Sequence, residues 1–286
     1  MSAVDASAWP PLADGDFDDL VGLAQDCLGT DGGLPLAAEP SFLRRRWTGP
    51  RVSTVAARDG VGRLVAAGAV RDQGGDVFTG LVAPYARKAG LGGRLLDWGL
   101  NRPGPVTVES EGLTPEAEAL FAARGLRQIF AEDVMRIEVA EAAAPAWPIG
   151  TTLTSWNDTT APRFHAVYDA AFRERPGFPG WSADQWIAQV EDDDEFRPDW
   201  SILASVPGLG EAGFVTAAAG WIVQVGVVPA ARGAGVGAAL ILQALSRMRA
   251  AGATEAWLDV NVDNPAVRLY RRLGFEHRGR RARYQR

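Results

Sequence analysis

Residues 226–237 read Gly-Val-Val-Pro-Ala-Ala-Arg-Gly-Ala-Gly-Val-Gly, the pattern of a buried strand that stops at Pro229 and enters a glycine-rich turn. A helix with an apolar stripe is predicted directly after the turn and ends at Gly252. Several free backbone N–H groups in such a turn surround one point, and the positive end of the following helix is directed at that point. The turn is therefore predicted to bind a diphosphate.

A second copy of this turn lies earlier in the chain, where residues 84–92 read Pro-Tyr-Ala-Arg-Lys-Ala-Gly-Leu-Gly. Strand and helix patterns repeat around both turns, with roughly six strands and four helices in each half. The sequence therefore predicts a mixed α/β fold made of two related modules. We expect an N-terminal domain at 1–140, an alanine- and proline-rich linker at 141–149 and a C-terminal domain at 150–286.

Composition limits the classes of function. The chain has 286 residues, of which 47% are hydrophobic, enough for two domains that each bury a core. Its net charge of −6 argues against nucleic acid as a partner, because a nucleic-acid binder is expected to carry a basic surface. With one cysteine and two histidines, the chain can form no internal disulfide, and we expect no metal site.

Two segments bear on location. Residues 1–20 are acidic and lack the apolar stretch of a secretory signal, so we expect a cytoplasmic protein. Residues 212–231 form an apolar run of membrane-spanning length. Gly220 and Pro229 divide that run into pieces of strand length, which favours an interior hairpin over a membrane span.

The glycine spacing excludes two other phosphate-binding loops. It is Gly-x-Gly-x-Gly, whereas a Rossmann turn has Gly-x-Gly-x-x-Gly and follows its strand almost at once. No Gly-Lys-Ser/Thr is present, so the turn is not a Walker loop.

The residues instead resemble the GNAT N-acetyltransferase superfamily, whose signature is Arg/Gln-x-x-Gly-x-Gly/Ala after a Val-x-Pro strand end. That signature is matched by Val227-Val-Pro-Ala-Ala-Arg-Gly-Ala-Gly-Val-Gly237. A second GNAT signature is matched by Asn264-Pro-Ala-Val-Arg-Leu-Tyr-Arg-Arg-Leu-Gly-Phe275. The tandem layout and the stretch from Ala171 to Trp181 are similar to the mycothiol synthase type of two-domain GNAT protein.

The resemblance implies acetyl-CoA as co-substrate, and it implies a set of coenzyme-binding residues: Val227, Val228, Arg232, Gly233, Ala234, Gly235, Val236, Gly237 and Asn264. Amides from Gly233 to Gly237 would hold the diphosphate. Backbone at Val227 and Val228 would pair with the pantetheine arm, and the Val227 N–H would polarise the thioester carbonyl, a contribution of about 3 kcal/mol. Asn264 would contact the coenzyme or cap its own helix.

Tyr270 is implied as the catalytic acid that protonates the departing thiolate, an effect typically worth about 10²- to 10⁴-fold. An alternative is that Tyr270 only packs, because Ala266, Leu269, Tyr270 and Leu273 have the spacing of a helix core face.

The general base is left unassigned. Many GNAT proteins carry a carboxylate on the strand before the coenzyme turn, but Gly220–Val228 contains no acid, and Trp221 and Gln224 are its polar-capable residues. Candidates elsewhere are Asp259, the acidic run 191–195 and His165. Acidic runs usually form solvated surface, and a histidine within a helix is more often a packed residue.

The first copy differs where chemistry would occur. Phe121 aligns with Tyr270 and can pack in the same way, but it has no hydroxyl proton to donate. Lys88 replaces Gly233. The first module is thus predicted to be a degenerate scaffold that walls the substrate cleft. It has a possible second coenzyme site at Val82, Arg87, Lys88, Gly90 and Gly92.

Eight arginines lie between Arg268 and Arg286. They would either meet the coenzyme's phosphates or decorate a helix end and an edge strand, and the second interpretation is favoured.

The preferred hypothesis is a direct N-acyltransferase whose C-terminal module moves acetyl from acetyl-CoA to the primary amine of a small molecule. The acidic balance suits a cationic acceptor. The alternative is a coenzyme A-binding pseudoenzyme with a sensing or regulatory role.

Overall fold

The computed structural model describes residues 9–175 and 177–286, and these form two compact units. Unit 1 contains the chain up to Val134 together with Asn261–Asp263 and Arg278–Arg286. Unit 2 contains Met135–Val260 and Asn264–His277. Each unit combines a mixed sheet with flanking helices, so the predicted mixed α/β class is confirmed.

Unit 1 begins with two helices and a three-stranded meander. Its elements are α1 (Phe17–Asp31), α2 (Pro40–Trp47), β1 (Val52–Arg58), β2 (Leu64–Asp72), β3 (Asp76–Val82), α3 (Leu91–Leu100), β4 (Val106–Ser110), α4 (Pro115–Ala122) and the first part of β5 (Arg127–Glu138). Strands β1, β2 and β3 pair antiparallel in sequence order. Helix α3 then crosses over, and β4 pairs parallel to β3.

The sheet of unit 1 is covered on both faces. Along β2, Ala67 and Ala69 contribute to one apolar cluster, whereas Ala66 and Val70 contribute to another. This alternation follows from the twofold side-chain period of a strand. Because both faces are buried, β2 reads as a nearly continuous apolar run in the sequence.

Unit 2 repeats this arrangement. Its elements are β6 (Thr152–Ser155), α5 (Ala161–Phe172), α6 (Ala183–Glu191), β7 (Ile202–Val206), β8 (Gly210–Ala218), β9 (Trp221–Val227), α7 (Val236–Ala250), β10 (Glu255–Asn261) and α8 (Val267–Arg272). Strands β6 to β9 pair antiparallel in sequence order, and α7 crosses over to β10, which is parallel to β9.

The apolar run at 212–231 lies within unit 2 as the β8–β9 hairpin and the turn after it, as predicted. Gly220 has the left-handed φ of +72° between the two strands. On β8, Phe214 packs into an aromatic cluster on one face and Val215 into an aliphatic cluster on the other. Among the described residues, no helix is long and apolar enough to cross a membrane.

The last strand, β11 (Glu276–Gln285), differs from its prediction. It was expected at a sheet edge, but it lies between β4 and β5 in the strand order. Ala282 and Tyr284 are buried in a core cluster of unit 1, and their strand pairs antiparallel with β4. These contacts are why Arg278–Arg286, placed in the C-terminal domain by sequence, belong to unit 1.

The boundary at the start of unit 2 also differs from the expected linker. Met135, Ile137 and Val139 are buried in the aliphatic core of unit 2, ahead of 141–149. Within the expected linker, Trp147 packs against that core, and its Nε1 donates to Gln243 Oε1 at 3.3 Å. Ala142 and Trp147 thus attach this largely exposed segment to the core of unit 2.

Candidate functional site

The turn between β9 and α7 exposes a row of backbone donors. Gly233 and Gly235 have φ values of +81° and +82°, and Gly235 is the N-cap of α7. For the N–H groups of Gly235, Val236 and Gly237, the described residues contain no acceptor. The first N–H groups of a helix have no intrahelical partner, and two left-handed residues gather them into a concave anion site.

Unit 1 contains the same backbone turn between β3 and α3. Lys88 and Gly90 have φ values of +66° and +83°, and Gly90 is the N-cap of α3. Lys88 is the only non-glycine residue with a positive φ in the described part of the chain. The two turns therefore share one conformation although the side chain differs.

The arginine of each turn holds the turn against the strand and helix that precede it. In unit 2, Arg232 donates from Nε to the Val227 carbonyl at 3.4 Å and from Nη2 to the Ala171 carbonyl at 3.0 Å. In unit 1, Arg87 donates from Nε to the Val82 carbonyl at 3.2 Å and forms two 2.6 Å bonds to the carboxylate of Asp31.

Both guanidinium groups thus position the strand end and the turn. That role was not anticipated from the sequence, where Arg232 was interpreted as a coenzyme contact. A direct contact between Arg232 and the coenzyme stays a prediction.

Strand pairing determines which backbone groups of β9 are free. The Val228 N–H donates to the Ala212 carbonyl at 3.0 Å, and the Val228 carbonyl accepts from Ala231. In an antiparallel pair, hydrogen-bonded and non-hydrogen-bonded positions alternate, so the N–H of Val227 points away from β8. It points toward the β10 side of β9, and β10 pairs with β9 only at Trp257.

The predicted oxyanion donor Val227 is consequently placed at the opening between two parallel strands. Val228 is different, since both of its backbone groups are already bonded within unit 2. The Val228 carbonyl keeps a second lone pair, and pairing of Val228 with a pantetheine arm stays a prediction. In unit 1, Ala83 donates to Val65, so the same alternation directs the Val82 N–H toward β4.

Tyr270 lies on α8, half-buried and edge-on to Phe275 at 5.9 Å between ring centroids. A Cβ built on Gly237 would lie 3.7 Å from Leu269, so α8 is adjacent to the start of α7. Burial raises the pKa of the Tyr270 phenol, and the nearby charge of Arg175 partly opposes this. The phenol is therefore protonated at neutral pH, as a proton donor must be.

Asn264 forms a turn ahead of α8. Its Oδ1 accepts from the Ala266 N–H at 3.0 Å, and its carbonyl accepts from Val267 at 3.2 Å. The N-cap of α8 is Ala266, so Asn264 does not cap the helix itself, and its contact with the coenzyme stays a prediction.

Two of the candidate bases have structural partners. His165 Nε2 is 2.9 Å from the Trp181 carbonyl, and Glu191 accepts from the Trp156 indole at 2.9 Å. Gln224 on β9 accepts from the Trp186 indole at 3.2 Å and so orients the aromatic cluster.

Asp259 lies half-buried on β10, past the residue at which β9 and β10 pair. The general base remains unassigned. Across the described residues, no group of three or more histidine, cysteine or acidic side chains is arranged to hold a metal ion.

Unit 1 contains a half-open cavity of about 450 Å³ beside the turn at which the sequence predicts a possible second coenzyme site. Its lining includes the strand end at Val82 and the predicted turn residues Arg87, Lys88, Gly90 and Gly92. Phe121 also lines it, which places an unreactive ring in the position that Tyr270 has in unit 2.

Charged side chains from distant parts of unit 1 face the same cavity. Arg46 from α2, Glu109 from β4 and Glu111 just after β4 are lining residues. No sequence signal links Arg46 to the two glutamates, because they meet only through long-range packing.

Comparison with known proteins agrees with this geometry. Residues 151–275 match the family model described as "Acetyltransferase (GNAT) family". A protein named mycothiol acetyltransferase from Kineococcus radiotolerans is 33% identical, over 94% of this chain and 93% of its own length.

Two solved structures share the fold along the whole chain. One is a GCN5-related N-acetyltransferase from Sphaerobacter thermophilus, with a TM-score of 0.74, 24% identity and coverage of 96% of this chain and 94% of its own. The other is a tandem GNAT protein from the clavulanic acid biosynthesis pathway, with a TM-score of 0.62, 20% identity and 97% coverage of both chains. Together with the family match and the mycothiol acetyltransferase relative, they show that this chain belongs to the GNAT family of N-acetyltransferases and has its tandem form.

Proposed function

We propose that unit 2 transfers an acetyl group from acetyl-CoA directly to the primary amine of a small molecule. The observation that carries the proposal is the row of unpaired N–H groups at Gly235–Gly237, beside a Val227 N–H that faces the opening between β9 and β10. The first set suits a diphosphate, and the second suits a thioester carbonyl.

Tyr270 is proposed to protonate the departing thiolate of coenzyme A. No described residue forms a hydrogen bond with its hydroxyl group, and its raised pKa keeps the proton in place. The amine attacks the thioester carbon, the tetrahedral intermediate collapses, and the C–S bond breaks as sulfur takes the proton. No covalent acyl-enzyme is required in this sequence of steps.

The relatives' name supplies the first acceptor to try. A mycothiol acetyltransferase is named for acetyl transfer that yields mycothiol, so the des-acetyl form of mycothiol heads the list of amines. Cationic amino sugars and polyamines follow, because the chain is acidic overall.

For unit 1 we propose coenzyme binding without chemistry. Its turn has the conformation found in unit 2, and the adjoining cavity is large enough for part of an acyl-CoA. Phe121 offers no proton to a leaving thiolate.

Release of coenzyme A thiol, followed colorimetrically across the amine panel, tests the function of unit 2. We expect turnover with at least one amine, and a decrease in kcat of about 10²- to 10⁴-fold in Tyr270→Phe with little change in the KM for acetyl-CoA. Tyr85→Phe is the matched control, since Tyr85 is exposed in unit 1.

A Tyr270→Phe variant with wild-type kcat would remove this residue from the mechanism. Tight binding of acetyl-CoA without turnover of any amine would instead favour the coenzyme-sensing alternative and refute the transfer.

A further inference from the structure

One wall of the unit 1 cavity is formed by Arg46, Glu109 and Glu111, near the point where β3 and β4 separate. The last paired residues of these parallel strands are Thr79 and Glu109. Glu111 follows just after the end of β4, and Arg46 Nη1 donates to both carboxylates, at 2.8 and 2.9 Å. The phosphate-binding turn and this charged wall therefore border the same cavity.

Three of the four carboxylate oxygens of the two glutamates accept hydrogen bonds from arginines, and the fourth, Glu111 Oε2, is in ion-pair contact without a hydrogen bond to a described residue. Glu109 Oε1 accepts from Arg283, and its Oε2 accepts from Arg46 and Arg71. Glu111 Oε1 meets Arg46 and Arg283, and its Oε2 lies 3.1 Å from Arg281. These carboxylates thus have little capacity left to bind an ammonium group or to take a proton from one.

Their protonation state agrees with this saturation. Burial alone would raise the pKa of Glu109, but the charges of Arg283, Arg46 and Arg71 outweigh it and hold that pKa below its ordinary value. The glutamate is ionised at neutral pH and stays bound to its arginines.

The arginines, in contrast, have donors to spare. The hydrogen bonds of Arg46 to described residues all leave from Nη1, and its guanidinium stacks on Phe42 at 4.1 Å, with Phe42 also lining the cavity. Arg71 is buried, and its Nε and Nη1 groups have no acceptor among the described residues.

Arg46 lines the cavity and keeps donors beyond its two bonds to the glutamates. Donors of a partly buried guanidinium that have no acceptor are costly, and an anion is the acceptor that matches their charge. The group that would complete this wall is therefore an acceptor with negative charge.

The rest of the lining suits a short hydrocarbon chain. Apolar side chains from α2, β3 and α3 contribute most of it: Leu43, Trp47, Phe78, Leu95 and Leu96. A ligand anchored at the turn and extended along β3 would pass these side chains and end at Arg46.

We propose that unit 1 selects an acyl-CoA whose acyl group ends in a carboxylate, such as succinyl-CoA, and that Arg46 binds this carboxylate. The inference rests on the proposed coenzyme site of unit 1. It adds the chemical class of the acyl group in unit 1, which the turn does not specify and which differs from the acetyl group in the relatives' name.

Calorimetric titration of the full-length protein with succinyl-CoA and with butyryl-CoA tests this, because the two esters have the same chain length and differ in the terminal carboxylate. We expect one site to bind succinyl-CoA at least about tenfold more tightly than butyryl-CoA, as one charge-assisted hydrogen bond would provide. Arg46→Met should reduce this preference to within about twofold.

Arg45→Met is the matched control, since Arg45 is an exposed neighbour on the same helix that does not line the cavity. Cys27, the one cysteine of the chain, lines the cavity and reports its occupancy. Bound succinyl-CoA should slow alkylation of Cys27 in wild type and in Arg45→Met.

Equal affinity for the two esters in the wild-type protein would overturn the inference, and that result needs no variant to fold. A preference that survives in Arg46→Met would overturn it as well. Neither result would affect acetyl transfer by unit 2, which thiol release measures separately. A preference that depends on Arg46 would support the inference even if no amine were acetylated.

Discussion

The two turns proposed to bind coenzyme offer a matched pair of substitutions, Gly90→Ala and Gly235→Ala. Both glycines are helix N-caps, with φ values of +83° and +82°. A Cβ added to either residue would meet no atom within 4 Å. The cost of alanine is therefore backbone strain alone, about 1–2 kcal/mol for a left-handed L-residue.

The two variants carry the same backbone strain, but only Gly235→Ala should weaken the use of acetyl-CoA in catalysis. If the turn of unit 2 relaxes to relieve the strain, its free N–H groups move off the diphosphate, and acetyl-CoA binding loses up to the same energy. A loss of 1–2 kcal/mol corresponds to an increase in the KM for acetyl-CoA of about 5- to 30-fold. Gly90→Ala should leave that KM within about twofold while weakening the fold to a similar extent.

The assay combines steady-state thiol release at varied acetyl-CoA with thermal unfolding of both variants. Similar decreases in the unfolding midpoint are expected, because the two strain terms match. If Gly90→Ala raised the KM as much as Gly235→Ala, chemistry would not be confined to unit 2. An unchanged KM in Gly235→Ala would refute the role of the turn in coenzyme binding.

Three further predictions concern unit 1. Lys88→Gly should stabilise unit 1 by up to about 1 kcal/mol in urea denaturation. The change removes the backbone strain of a left-handed lysine, and this gain exceeds the conformational entropy that the added glycine loses on folding. A loss of stability would contradict this. Glu109→Gln should destabilise unit 1 by about 3 kcal/mol at pH 7, since buried arginines lose their partner. The lowered pKa of Glu109 means that its contribution is complete above about pH 4.5 and is lost as pH falls through the folded-state value. The difference between wild type and Glu109→Gln should therefore shrink below pH 4.5 in denaturation curves, and a constant difference would refute the assignment. Burial raises the pKa of Cys27 to about 11, so its alkylation rate, followed by mass spectrometry, should still be rising tenfold per pH unit at pH 9–10.

The sequence was sufficient to predict those features that depend on the backbone preferences of neighbouring residues. The turn after β9 was predictable because Pro229 ends a strand, and because Gly233 and Gly235 permit positive φ. The start of α4 was predictable for a similar reason, since Thr114 caps it through the Ala117 N–H and proline follows. Division of the apolar run 212–231 into two strands needed only Gly220 and Pro229.

Features that depend on long-range pairing were not predictable. Nothing in 276–285 indicates that this strand pairs with β4, more than a hundred residues away in the chain. The charged wall has the same origin, because Arg46 and Glu109 come from separate segments and meet Arg283 from a third. The bond between the Val228 N–H and Ala212 was not predictable either, because it depends on the register of β8, which a single sequence does not reveal.

The arginine of the unit 1 turn is bound more strongly than the arginine of the unit 2 turn. The more strongly bound turn is also the one with the more strained backbone. In unit 1, Lys88 adopts a left-handed conformation that costs about 1 kcal/mol or more, whereas glycine occupies this position in unit 2. Arg87 forms a bidentate ion pair with Asp31, while Arg232 meets a carbonyl of α5 and lies 3.8 Å from Glu174. A partly buried bidentate pair contributes an energy of the same order as the strain at Lys88. The stronger attachment of Arg87 therefore accounts for the retention of one turn geometry by two different sequences. It also holds in place the turn that borders the cavity of unit 1, where we propose that the coenzyme's phosphates bind.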